Sequence, residues 1–158
     1  MKQVRIHEAG RLVRAHVLKD IALDVEYADL RDFGCLCAIV SETLGRVLRK
    51  LGYSAVLVQG YFDRINAHCW LDLDNGTIID ATASQFKYKG EVLLTTARKS
   101  QSYVAQRAGD EALDWVNEHW LDQAPQMYED RIQKIVNRVV KSLKSAEEAF
   151  MPTPSVSP

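Results

Sequence analysis

The stretch CAIVSETLGRVLRKLGYSAVLVQGYF, residues 37–62, decides the fold, because it changes from one structural period to another partway along. From Cys37 to Leu51 the apolar residues Val40, Leu44, Val47, Leu48 and Leu51 recur at i, i+4, i+7, i+8 and i+11, which predicts one buried stripe on a helix. Gly52 is the expected C-terminal cap. Ala55 to Phe62 then reads as a strand.

Downstream, Ala67–Leu73 and Thr77–Ala81 are two further strand candidates, separated by the turn-forming Asp74-Asn75-Gly76. A helix feeding an antiparallel meander is an α+β arrangement. Upstream, Leu12, Val13, Val17 and Ile21 predict one or two short helices between Val4 and Val25, while Tyr27 to Gly34 is polar and irregular. After Gly90 the sequence reads as helical, with Tyr103–Leu121 and Tyr128–Ala149 as candidates interrupted by Pro125. Residues 1–150 are expected to form a single domain, and residues 151–158, with three prolines and two serines, a disordered tail.

The 158 residues suit one core. Apolar residues are 47% and charged residues 26%, the composition of a soluble globular protein. Twenty basic and 21 acidic residues leave a formal charge of −1, which disfavours a nucleic-acid backbone or an anionic membrane as partner. Met1 to Gly10 carries His7 and Glu8 where a signal peptide needs an apolar run, so a cytoplasmic location is expected. Three cysteines, an odd number, argue for reduced thiols rather than a disulfide framework.

A nucleophilic cysteine acts as the thiolate, and needs a positive environment and a base close by. Cys37 opens the predicted helix, where free backbone N–H groups favour negative charge and can stabilise an oxyanion. It shares the inward stripe with Leu44, whereas Cys35 falls on the opposite side if the helix extends that far back. For either cysteine the plainer role is a small buried hydrophobe.

In Ala67-His68-Cys69-Trp70-Leu71-Asp72-Leu73, alternation puts Cys69, Leu71 and Leu73 on one face and His68, Trp70 and Asp72 on the other. Cys69 reads as core, and His68 as a general base under an aromatic cover. Asp80 is the natural third member, provided the register allows it. A two-residue turn pairs Asp80 with Leu71 on the wrong face, whereas a three-residue Asp74-Asn75-Gly76 loop pairs it with Trp70, diagonal to His68. The three-residue loop is the expectation, with Asp72 as the fallback acid.

The same residues can be written as a zinc set of Cys35, Cys37, His68 and Cys69. C-x-C is tighter than usual zinc spacing, however, and His68 and Cys69 point to opposite faces of one strand. No metal or other cofactor is expected.

The words around these residues add specificity. Gly34-Cys35-Leu36-Cys37, then Leu48-Arg49-Lys50-Leu51-Gly52-Tyr53 and Val58-Gln59-Gly60-Tyr61, resemble the transglutaminase-like superfamily. Ala67-His68-Cys69-Trp70 is similar to its His-x-Trp, and Ile79-Asp80-Ala81-Thr82 to its Asp-x-Thr. The segment from Asp80 to Phe86 looks like the Asp-x-Thr-x-x-Gln-Phe ending of small bacterial members. The resemblance covers Gly34 to about Phe86 and leaves the flanking helices uncovered.

It implies a papain-like α+β core, with the cysteine helix packed on an antiparallel sheet, and a Cys37-His68-Asp80 triad acting on a peptide or other amide through a thioester. Water as acceptor gives a protease, amidase or deamidase, and an amine gives a transferase. Where the family often has Gly-x-Cys this chain has Cys35-Leu36-Cys37, so Cys35 stays open as the nucleophile. Tyr27, Gln59 and Asn66 are candidates for a second oxyanion donor, each more simply an ordinary polar residue, and Gln85 reads as a turn or surface residue beside the site. Trp115, Trp120 and Tyr128 read as helix-packing aromatics and His119 as a surface residue. The competing class is a binding protein that keeps the fold without turnover.

Overall fold

A computed structural model of the chain describes residues 2–22, 36–86, 88–96, 99–120 and 124–150. The helix that opens at Cys37 runs Cys37–Lys50, and Leu36, Ile39, Val40, Leu44, Val47 and Leu48 are all essentially sealed from water. Each large aliphatic side chain buried this way contributes on the order of 1.5–3 kcal/mol. Leu51 is the capping residue and Gly52 follows it at φ +84°. The Gly52 N–H donates to Arg49 O and the Tyr53 N–H to Leu48 O, the paired bonds of a Schellman turn. The glycine is therefore one position past the cap, where a residue without a β-carbon adopts the left-handed backbone at low cost.

This helix is α2. Before it lies α1 (Lys2–Asp20), and after it come β1 (Ala55–Phe62), β2 (Asn66–Leu73), β3 (Thr77–Asp80), β4 (Leu93–Thr96), β5 (Tyr103–Ala108), α3 (Asp110–His119) and α4 (Glu129–Phe150). Short 3-10 turns occupy Ala83–Phe86 and Pro125–Tyr128. The described residues are thus α+β, with four helices and a five-stranded antiparallel sheet in the order β4-β3-β2-β1-β5. No described helix is long and apolar enough to cross a membrane.

The sheet keeps two distinct faces. Ala55, Leu57, Cys69, Leu71, Leu73 and Ile79 join the large core with α1, α2 and α4. Val58, Trp70 and Ile78, with Tyr103 against them, form a smaller cluster of their own. That division is the alternation expected for β2. Across the hairpin, Leu71 pairs with Ile79 and Asp72 with Ile78, which continues to Trp70 opposite Asp80. The connection is therefore the three-residue Asp74-Asn75-Gly76 loop: Gly76, at φ +74°, donates its N–H to Leu73 O, and Thr77 N–H donates to the Asn75 side chain.

The helix expected over Tyr128–Ala149 is present as α4, but between Gly90 and Gly109 strands replace the expected helix. Leu93–Thr96 pairs with β3, and Tyr103–Ala108 pairs with the free edge of β1, so that the helix expected over Tyr103–Leu121 begins only at Asp110. Gly109, at φ +63°, separates strand from helix. An open sheet edge captures a β-branched, aromatic segment whatever its local helical pattern. The N-terminal helix is a single one, and its expected extension beyond residue 22, like the tail 151–158, lies outside the described residues.

Gly60 marks where β1 receives β5. The register shifts between Gln59 and Gly60, and a β-carbon on Gly60 would collide with the Val104 carbonyl and come within 2.8 Å of the Trp70 ring.

Candidate active site

Three neighbouring elements bring the chemistry together. Cys37 is the first residue of α2, preceded by Leu36, whose side chain offers no cap to the first-turn N–H groups. His68 stands near the start of β2, opposite Gly60 of β1. Asp80 ends β3. Cys37 is 3% exposed and His68 and Asp80 are 0% exposed.

The Asp80 carboxylate is fully partnered. Oδ2 lies 2.7 Å from His68 Nε2 and accepts from the Tyr103 hydroxyl at 2.8 Å, while Oδ1 accepts from the Thr82 N–H at 2.8 Å and its hydroxyl at 2.9 Å. Thr82 explains the Asp-x-Thr spacing. Two residues after an aspartate, a threonine can offer backbone N–H and side-chain O–H to the same oxygen. Burial alone would raise the Asp80 carboxyl, but the His68 charge and hydrogen bond, with Thr82 and Tyr103, hold it below its ordinary value.

Burial likewise would lower the His68 imidazole. The Asp80 charge and hydrogen bond, joined by the Cys37 thiol, outweigh it and hold the ring at about 10. For Cys37 the largest influence is a hydrogen bond from Cys69; the His68 hydrogen bond and charge add to it against the opposing effect of burial, and the thiol falls to about 5. Burial and the neighbouring Cys37 charge push Cys69 the other way. Near neutral pH the arrangement is a Cys37 thiolate facing a His68 imidazolium, with Cys69 keeping its proton as a donor.

Since Asp80 occupies Nε2, Nδ1 is the ring nitrogen left for a further partner. Gln85 lies on that side, its Nε2 2.9 Å from Nδ1 and 3.5 Å from Thr82 Oγ1. A carboxamide suits either ring state: its NH2 donates to bare Nδ1, and turned over, its oxygen accepts from Nδ1–H. Around the imidazole stand Phe86, edge-on at 4.8 Å between centroids, Trp70 at 6.1 Å and Tyr103 at 6.3 Å.

The structure thus joins His68 and Asp80 by a hydrogen bond and sets Cys37 near enough to His68 for the two to shift each other's titration. Asp72, the fallback acid, instead accepts from Trp70 Nε1 at 3.0 Å. Cys35 and Tyr27 lie outside the described residues. Asn66 is exposed. Gln59 is buried, and its Oε1 accepts from Arg107 at 3.0 Å. Among the described residues no group of three or more His, Cys, Asp or Glu is arranged to hold a metal ion. Trp115, Trp120 and Tyr128 pack against the core, and His119 is exposed and stacked on Trp115.

Sequence reasoning missed two supports and undervalued a third. Tyr103 was hidden by its assignment to a helix. Arg14 of α1 donates to Ala81 O at 2.9 Å and Ser84 Oγ at 3.0 Å, across 67 and 70 residues, and no local pattern signals such a contact. Gln85 does sit in a turn, but its amide faces the imidazole.

Comparison with protein-family models, with curated proteins and with solved structures finds no match for this chain.

Proposed function

We propose that this protein is a cysteine-dependent acyl-transfer enzyme in which Cys37 is the nucleophile, His68 the proton carrier and Asp80 the group that orients and charges the imidazole. The observation that carries the proposal is the Asp80–His68 contact at 2.7 Å on one ring nitrogen, with the helix-opening Cys37 and His68 near enough for each to shift the other's titration. The α+β frame, with a cysteine at a helix N-terminus and histidine and aspartate on adjacent strands, supports the transglutaminase-like reading of the sequence and its papain-like core.

In the proposed mechanism the Cys37 thiolate attacks the carbonyl of a peptide or other amide, and the carbonyl oxygen gains charge beside the free N–H groups opening α2. His68 Nδ1–H then protonates the departing amine, leaving a thioester on Cys37. Water activated by the neutral imidazole returns a carboxylic acid; an amine at the same position gives a new amide. Hydrolysis is the simpler outcome where amines are dilute.

The burial of Cys37 and His68 favours a second reading, a binding protein that keeps the fold without turnover. Release of acid or amine from a panel of peptide and carboxamide substrates separates the two. Turnover abolished in Cys37→Ala supports the enzyme; an unreactive Cys37 with no turnover on any amide would leave the binding reading.

A further inference from the structure

Beyond the triad, the described groups include a Cys69 thiol that acts on Cys37, a buried Gln59 amide fixed by Arg107, and the Gln85 amide on the imidazole. We propose that the turn Ala83–Phe86 is a latch over the site: the Gln85 carboxamide holds the place at His68 Nδ1 that the leaving nitrogen of an amide substrate takes, and substrate enters by displacing it. The proposal rests on the acyl-transfer reading.

The first support is positional. A proton passes from Nδ1 to a leaving nitrogen only if the two approach to roughly 2.6–3.2 Å. Gln85 Nε2 lies at 2.9 Å from that atom, so the leaving group and Gln85 cannot both be seated. The amide is a fitting occupant, because it satisfies the ring in either protonation state without bringing a charge into the site.

The second support is closure. With His68 wholly buried and Cys37 3% exposed, no peptide reaches the sulfur unless a covering group moves. Phe86, the neighbour of Gln85, lies edge-on against the imidazole and stacks on Phe62 at 4.0 Å with an 8° interplanar angle. Phe62 ends β1, ahead of a tight turn in which Asp63 and Arg64 take positive φ. Gln85 and Phe86 thus cover the ring from the same short turn.

The third support is how unevenly that turn is held. Its base is fixed: Thr82 is tied to Asp80, and Arg14 clasps Ala81 and Ser84. The Gln85 backbone N–H donates to Thr82 O at 3.1 Å, but its side chain is held only by the imidazole and a long 3.5 Å contact to Thr82 Oγ1, which gives the amide a nearby partner as it swings off the ring. Rotation of the Gln85 side chain therefore leaves the Asp80–His68 pair in place.

The test is alkylation of Cys37 by iodoacetamide across pH, read by peptide mass spectrometry on the full chain, in wild type, Gln85→Ala, Gln85→Met, Gln85→Glu and Phe86→Leu. Gln85→Ala, Gln85→Met and Phe86→Leu are expected to label about tenfold faster or more near neutral pH, with the low inflection of the wild type retained, because access changes and activation does not. Gln85→Met nearly preserves side-chain size without the amide, and keeps the test valid if the alanine variant folds poorly. Gln85→Glu is expected to stay slow and to raise the inflection, since a carboxylate competes with the thiolate for the imidazolium. Labelling within twofold of wild type in folded Gln85→Met and Phe86→Leu overturns the latch while leaving the triad intact. An inflection that moves to the ordinary thiol range in Gln85→Met also overturns it, and makes Gln85 part of thiol activation. A wild type without a low inflection removes the acyl-transfer reading itself.

Discussion

Replacing His68 by alanine removes one of the donors that hold the Cys37 thiolate, and the size of the effect can be worked out. The thiol sits at about 5 in the native arrangement. An unperturbed thiol sits near 8.5, so close to pH 6 the thiolate fraction is about 0.9 in the first case and about 0.003 in the second, a ratio of about 300. A thiolate of lower basicity is also a weaker nucleophile. With a Brønsted slope of about 0.4–0.5 over about 3.5 units, that discount is about 25- to 55-fold, leaving a net advantage of about 5- to 12-fold near pH 6.

Burial slows alkylation at every pH alike, so the position of the inflection is diagnostic and the absolute rate is not. Iodoacetamide labelling of wild type should rise through about pH 5 and then stay flat. In His68→Ala the Cys69 donor remains, so the inflection should move up toward the ordinary range without necessarily reaching it, and labelling near pH 6 should fall by up to about tenfold. A wild-type inflection near 8.5, or one unmoved by His68→Ala, refutes the thiolate–imidazolium pair.

Tyr103→Phe deletes one hydrogen bond to a buried carboxylate and should cost about 1.5–3 kcal/mol in urea unfolding, with the His68 pKa, followed by NMR, little moved because Asp80 stays charged. Asp80→Ala leaves the Thr82 and Tyr103 donors and a buried imidazole unpaired, and should cost about 3–5 kcal/mol; Asp80→Asn should fold better and still lose the imidazolium near neutral pH. Gly60→Ala forces a β-carbon into the Val104 carbonyl, and a destabilisation of at least about 1–3 kcal/mol is expected by thermal unfolding. Stability should also trace a plateau in pH. The Cys37 contribution, from a lowered pKa, is complete above about 8.5 and lost as pH falls through about 5, and the His68 contribution, from a raised pKa, is complete below about 6.5 and lost as pH rises through about 10. Their sum rises to about pH 6.5, is level to about 8.5 and then falls; in Cys37→Ala the rise between about 5 and 6.5 should vanish, which denaturant titrations at fixed pH values would show.

The helix of Cys37, the meander that follows and the loop register were legible because each is set by local pattern: a 3.6-residue stripe, a two-residue alternation, and a turn with glycine in the left-handed position. The same locality made the placement of Cys37 at a helix start and of Asp80 beside His68 readable. Tyr103 was not, since a strand at a sheet edge takes its conformation from its neighbour rather than from its own sequence, and once it was read as helix its hydroxyl could not be carried to Asp80. Arg14 escaped for a related reason, as nothing in α1 marks which distant carbonyl it will meet. Gln85 lay one turn from Asp80 and was visible, but its role depends on which nitrogen Asp80 leaves free.

The clasp of Arg14 on Ala81 bears on the order in which the molecule assembles. His68 meets Asp80 across 12 residues, whereas Arg14 meets Ala81 across 67. By the logarithmic cost of loop closure the longer connection is less favourable by about 1.5 kcal/mol. The histidine–aspartate hairpin can therefore close on its own while the amino-terminal helix, made first, waits for the segment it will hold. During refolding, the charged pair should be in place before the turn that covers it is fastened, so the pair passes through an interval in which it is built but open.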